Sequence, residues 1–250
     1  MMNRFLPLAF AACLATSPVS AGPFDDLSDA DRAALGDEIR GYLLENPEVL
    51  MEVVAALEAR QMEAAEMAEA QSLDQLQSEI FEDESSYVGG NPDGDVTIVE
   101  FLDYQCGYCK RAHPEVAELL AGDNDIRIII KEFPILGPAS EQASRAAIAV
   151  LLNDGPEAYR ALSDAMMEHQ GQLTPEVITA LAEGAGADID AMQTRAGSDE
   201  VSAIIARNRA LGQQLQISGT PTFIIGDEFV RGYLPLEQMQ EKVEAQRADM

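Results

Sequence analysis

Apolar residues recur at two different periods along this chain, and each change of period marks a part of it. Residues 25–45 are acidic, with Leu35, Ile39, Tyr42 and Leu43 at helical spacing and Ser28 or Asp29 able to cap the start. Asn46-Pro47 marks a boundary, with Asn46 placed as N-cap and Pro47 at the first position of a second helix. No strong breaker follows until about residue 83, which predicts a helix about 55 Å long if unbroken. Gln71-Ser72 is the candidate interruption. Leu50, Val53 and Leu57 fit a coiled-coil seam, but Arg60, Gln71 and Asp74 occupy positions where that seam needs apolar residues. The apolar patch at 49–57 therefore needs another partner: the 28–43 helix, the same patch on a second copy of the chain, or both.

The pattern then changes. Tyr87-Val88 is a short extended segment, and 89–95 carries turn chemistry, so a second domain is expected from residue 86. Val96-Thr97-Ile98-Val99-Glu100-Phe101-Leu102 has strand composition. A helix is predicted from 106 to about 121, with Val116, Leu119 and Leu120 on one side and a kink at Pro114. Residues 126–133 read as a buried strand. Strand, helix, strand in this order implies a parallel pair. From 138 to about 216 the spacing is wholly helical, with Thr174, Asp188 and Ser198 as caps. Residues 217–232 read as a hairpin turning at Gly226-Asp227, and a last helix spans 236–246. The fold class is α/β with a helical insertion at about 138–216, preceded by a helical arm at 22–85.

The chemistry is concentrated in Cys106-Gly107-Tyr108-Cys109, between the strand and the helix. A helix N-terminus offers unpaired N–H groups and partial positive charge, both of which stabilise a thiolate. Cys106 is therefore expected to ionise more readily than an ordinary cysteine. Cys109 sits on the same face of the first turn, where its thiolate can attack a mixed disulfide formed at Cys106. The spacing suits thiol–disulfide exchange. Half of a zinc site has the same spacing, but the remaining candidates, Cys13, His113 and His169, form no second pair at finger spacing.

Charge and the N-terminus narrow the setting. The net charge is −28 over 250 residues, which argues against nucleic acid and anionic membrane surfaces as partners. Arg4, the apolar stretch 5–15 and the small residues Val19-Ser20-Ala21 form the pattern of a secretory signal at 1–21, cleaved after Ala21. Phe10 counts against Cys13 as a lipid anchor. Cleavage removes Cys13 and Arg4 and no acid, so the charge moves from −28 to −29 and only the motif cysteines remain. An exported chain with those two thiols alone points to redox work rather than to a structural staple.

Val99-Glu100-Phe101-Leu102-Asp103-Tyr104-Gln105-Cys106-Gly107-Tyr108-Cys109-Lys110 and Gly219-Thr220-Pro221-Thr222-Phe223 together resemble the DsbA-like branch of the thioredoxin superfamily over about 86–248. Residues 25–85 resemble, by general pattern, the oligomerising arm of its ScsC-type, copper-linked members. The resemblance implies a thioredoxin fold with the helical block inserted between its halves. It implies Cys106 as nucleophile, Cys109 as resolving cysteine and Pro221 in cis facing them. Gly107, Tyr108 and Thr220 would meet the substrate. Glu100, at the place of a buried acid, would take the Cys109 proton; the plainer alternative pairs Glu100 with Lys131. No cofactor beyond the dithiol and no metal are implied. The implied partners are exported cysteine-containing proteins, a membrane redox partner that recycles the pair and, through the arm, further copies of this chain. Because Tyr108 is neutral, a less depressed Cys106 and a less oxidising couple are expected than with a Pro-His dipeptide. Cys-Gly-Tyr-Cys also resembles the DsbC-type isomerases, so oxidase and isomerase both stand. His113 reads as a helix-surface residue, His169 as structural and Met166-Met167 as core. Cu(I) held by the two cysteines is the reading from another class.

Overall fold

The computed structural model describes residues 27–248 and 250. The expected signal segment 1–21 and Cys13 lie outside the described residues. The chain divides into two compact units, 1–61 and 62–250.

In the first unit, Ser28 caps α1 (Asp29–Glu45) through a reciprocal capping box with Asp31. Asn46 ends this helix: its backbone and side-chain N–H groups both donate to the Tyr42 carbonyl. The expected role of Asn46 as cap of the next helix is thus replaced by one at the end of the first. α2 (Glu48–Gln75) begins two residues later. No residue of α1 is buried, and Ile39, Tyr42, Leu50, Val53 and Leu57 all stay exposed. The patch at 49–57 is therefore not covered by the 28–43 helix.

The second unit is built on a five-stranded sheet of order β1-β3-β2-β4-β5. Its strands are β1 (Tyr87–Gly90), β2 (Val96–Leu102), β3 (Ile126–Glu132), β4 (Thr222–Ile225) and β5 (Glu228–Arg231). β2 and β3 run parallel, joined by α4 (Gly107–Gly122), and all other neighbours are antiparallel. β2 and β3 are buried on both faces, which is why each reads as a near-continuous apolar run. Val96, Ile98 and Leu102 share one core with Val116 and Leu119 of α4 and with the helical block; Val99 and Phe101 face a second core. Between β3 and β4 come α5 (Pro138–Asp154), α6 (Pro156–Glu168), α7 (Pro175–Gly184), α8 (Ile189–Ala196) and α9 (Asp199–Gln214), the inserted block. Thr174, Asp188 and Ser198 cap α7, α8 and α9. Gly212 lets α9 lie against Phe133, since a Cβ there would run into the ring. α10 (Leu236–Ala248) packs beside α4.

The long second helix breaks at Leu76, not at Gln71-Ser72, and α3 (Gln77–Phe81) follows. Leu73 and Ile80 are buried in the second core, against the sheet. The boundary read at residue 85 from turn chemistry therefore falls inside the second unit. The pull on this segment is partly ionic. Lys131, wholly buried, donates to the Glu79 carbonyl at 2.7 Å and to Asp83 at 2.9 Å. Burial works against both charges. Even so, Asp83 is held below the usual carboxylate range by Ser85 and Lys131.

Removing one partner strands a buried charge. Asp83→Ala is predicted to lower the urea-unfolding stability by about 3 kcal/mol, and adding Lys131→Met should restore most of it. In the unmodified protein this contribution is present above the ordinary aspartate range and fades as pH falls below it.

Candidate active site

β2 ends at Leu102 and the chain turns through 103–105 before α4, which puts Cys106 at the N-cap. The turn is tied by Asp103, which is wholly buried. Its carbonyl accepts from the Cys106 N–H at 3.0 Å, and its carboxylate accepts from Gln105 N at 2.8 Å. The same carboxylate accepts from Ile135 N at 2.8 Å and Leu136 N at 3.0 Å, so one side chain fixes both the motif and the loop after β3.

The two sulfurs differ sharply in environment. Both are free thiols; Cys106 is 8% exposed and Cys109 is fully enclosed. The Cys109 thiol donates toward Cys106, and the N–H groups of Cys109 and Tyr108 point at the same sulfur. These outweigh burial and bring Cys106 down to about 5. The same contact, with burial and the nearby Glu100, pushes Cys109 far up. The depression at Cys106 thus comes from a neighbouring thiol, then Thr220 and the backbone amides, with no cation in the dipeptide. Tyr108 is 62% exposed and projects beside the motif; Gly107 has open space where a side chain would be.

The loop from 217 closes over this end of the helix. The Thr220-Pro221 bond is cis, and Cys106 Sγ lies 3.0 Å from the Thr220 carbonyl as its donor. Chain positions 106 and 220 are thus in direct contact, as the two motifs implied.

Glu100 sits on β2 beneath the motif, 5% exposed. Burial raises its carboxyl to about 7, opposed by His113 and reinforced by Glu132 and Cys106. The alternative partner, Lys131, points to the opposite face of the sheet, where Asp83 holds it. His113, expected on the helix surface, is only partly exposed: its Nε2 meets Asp164 at 3.2 Å. Burial disfavours its cation, but Asp164 more than compensates and holds it above the usual histidine range. His169 caps the end of α6, and Met166 and Met167 are core residues. Among the described residues no three His, Cys, Asp or Glu side chains gather as a metal site.

Three residues at this site were not singled out from the sequence. Asp103 and Tyr104 sit inside the quoted motif, but nothing in their spacing announces burial. Glu132 ends a strand read as buried, and an acid inside such a run was the available signal.

Iodoacetamide alkylation of the reduced protein should label Cys106 with a half-maximal rate near pH 5 and leave Cys109 unlabelled. Cys109→Ala removes the principal donor to the thiolate, so the midpoint should rise by about one pH unit or more.

The comparisons with known proteins agree with this geometry. The DSBA-like thioredoxin domain family matches residues 97–244, and the copper resistance protein ScsC N-terminal domain matches 31–64. A thioredoxin-like oxidoreductase from Silicibacter pomeroyi DSS-3 is 38% identical, covering 68% of this chain and 97% of that one at TM-score 0.65. The thiol-disulfide exchange protein α-DsbA2 of Wolbachia pipientis is 32% identical, covering 73% and 97% at TM-score 0.68. A linker-deletion variant of Proteus mirabilis ScsC is 26% identical, covering 90% and 99% at TM-score 0.70. The chain spans only 24% of the length of the first curated relative it matches, the Na(+)/H(+) antiporter NhaA 1 of Salinispora arenicola, at 29% identity over 159 residues. No helix among the described residues is long and apolar enough to cross a membrane. With the family matched across most of the second unit and both motifs meeting at one sulfur, this chain belongs to the DsbA-like thioredoxin family.

Proposed function

We propose that the chain catalyses thiol–disulfide exchange on cysteines of exported proteins, with Cys106 as nucleophile and Cys109 as resolving cysteine. The observation that carries this is a low-pKa sulfur at a helix N-terminus, 3.0 Å from the carbonyl before a cis proline, with a second thiol enclosed behind it. In the oxidising direction a substrate thiolate attacks Cys106 of the Cys106–Cys109 disulfide. Cys109 leaves as a thiolate and takes a proton from Glu100. A second substrate thiolate then attacks the substrate sulfur of the mixed disulfide, and Cys106 departs as the stabilised thiolate. In the reverse direction Cys106 attacks a substrate disulfide. Glu100 then accepts the Cys109 proton as Cys109 attacks Cys106 and expels the substrate thiolate.

An extended substrate segment would pair with the Thr220 backbone by strand addition, which needs little sequence preference. Tyr108, Ile135 and Leu136, all exposed, supply apolar surface around it. A thiolate near 5 lies between the ~3.5 of the strongest oxidant in this superfamily and the ~7 of thioredoxin. That supports an oxidising couple short of the extreme; recycling by a membrane redox partner rests on the family match instead.

The arm supports assembly into a homo-oligomer. Its apolar side chains are exposed in the single chain, and residues 31–64 match the ScsC N-terminal domain. Several dithiols held together would favour disulfide isomerisation. The signal pattern at 1–21 supports export to the periplasm. A second reading, Cu(I) binding by Cys106 and Cys109, draws on the copper-resistance description of that same N-terminal match.

Cys106→Ser should abolish exchange with a model disulfide peptide; undiminished activity would remove the proposal. Tight Cu(I) binding in a protein without any dithiol exchange would favour the second reading instead. For the arm, light scattering should give a multiple of the chain mass. Leu50→Glu with Leu57→Glu should reduce it to one, and a monomeric unmodified protein would refute assembly.

A further inference from the structure

Two carboxyl groups are buried on the same face of the sheet, and the exchange chemistry above uses one of them. Glu100 and Glu132 lie on the neighbouring parallel strands β2 and β3, with Leu102 opposite Glu132 in register and Glu100 one pleat back. Glu132 is 3% exposed. Its Oε1 accepts from Tyr159 at 2.6 Å and from Tyr104 at 2.7 Å. Both lengths are those of hydroxyls donating to a charged carboxylate. Its Oε2 and the hydroxyls of Ser140 and Ser144 on α5 are buried without a hydrogen-bond partner.

The two acids are joined by hydroxyl groups. Tyr104 Oη is also 3.1 Å from Ser163 Oγ. Tyrosine has one proton to give and the carboxylate is the stronger and nearer acceptor, so Ser163 donates to Tyr104 and Tyr104 to Glu132. Ser163 lines a cavity of about 70 Å³ that Glu100, His113 and Asp164 also line, large enough to hold water. Water in that cavity would complete a line of exchangeable protons from Glu100 through Ser163 and Tyr104 to Glu132.

We propose that Glu132 is a positioning acid that shares a proton with Glu100 along this line and so sets the pH at which Glu100 can receive the proton of Cys109. The inference rests on the reading of Cys109 as the resolving thiol. When Cys109 releases its proton, Glu100 takes it, water in the cavity carries it to Ser163, and the Ser163 and Tyr104 protons each shift one place so that Glu132 ends protonated. No electrons move in this relay and every hydroxyl is restored. A carboxylate at Glu132 discourages a second negative charge at Glu100, and burial brings each acid to about 7, where that coupling matters.

Other charged and titratable groups facing the pair come from every packed element. They are Tyr87 on β1, Asp103, Tyr104 and Cys106 before α4, Cys109 and His113 on it, and Tyr159, Arg160 and Asp164 on α6. Asn208 of α9 donates to the Glu132 backbone carbonyl. Only His113 and Arg160 oppose the negative charge, and both stand at the cavity's outer wall with Asp164 beside them.

The test uses the full chain carrying a glutathione mixed disulfide at Cys106, with glutathione release by Cys109 followed across pH. Glu132→Gln keeps an oxygen for both tyrosines and removes the charge. Glu100 then loses its proton at lower pH, so the release profile should move down by about one pH unit while the Cys106 alkylation profile stays in place. In a Glu100→Gln background the same change should have no effect on the release profile. An unshifted release profile in a folded Glu132→Gln variant, or an equal shift in the Glu100→Gln background, overturns the inference. If Glu132→Gln does not fold, the carboxylic-acid C=O stretches of the unmodified protein decide. Two bands titrating as a coupled pair support the inference, and two independent titrations overturn it. A parent protein that never releases glutathione through Cys109 refutes the exchange reading itself, a result separate from either of these.

Discussion

A sulfur that must carry negative charge half inside a protein needs donors fixed in place before the charge arrives. Cys106 has them because β2 ends, turns and starts a helix within five residues, which aims the Tyr108 and Cys109 amides and the Cys109 thiol at one point. The geometry depends on Asp103. Buried without a cation, it is satisfied by backbone N–H groups from two separate loops. The cost of enclosing that carboxyl group is offset by three hydrogen bonds from backbone N–H groups. The same side chain therefore holds the turn before Cys106 and the Ile135-Leu136 segment in a fixed relation.

The two thiols are shifted in opposite directions. Stabilising the Cys106 thiolate stabilises the reduced protein, which makes the disulfide a better oxidant. Enclosing Cys109 does the opposite for that sulfur, so on the exchange mechanism proposed above its attack needs a base. Glu100 lies within the enclosure, and burial keeps its carboxyl near neutrality, where it can give or take a proton. On the sheet's other face Lys131 is occupied by Asp83 and Glu79. Glu100 is left without that lysine, and only the more distant charge of His113 opposes its burial.

Much of this was legible in the sequence, and the failures have physical causes. β2 matched residue for residue because a strand buried on both faces writes a continuous apolar run. The caps at Thr174, Asp188 and Ser198 were readable because a short polar side chain before a helix has few other uses. The meeting of Cys106 with Thr220 could be inferred from the paired motifs, although the residues are 114 positions apart. Asn46 was placed at the wrong helix end, since its amide can serve either. Turn residues near 85 mark where the chain bends, while Leu73 and Ile80 show where it packs, and only the first of these is written locally. Glu132 and His113 were underrated for a related reason. Their importance lies in what α6 brings to them across the core, and no local period records that.

The central claim is that the reduced site holds Cys106 as a thiolate over most of the working pH range. The equilibrium of the full chain with glutathione, followed from pH 6 to pH 8, tests it most directly. A couple that takes up one proton per two electrons should change its potential by about 30 mV per pH unit across that span. A slope near 60 mV per pH unit would mean that both thiols stay protonated, and would contradict the account.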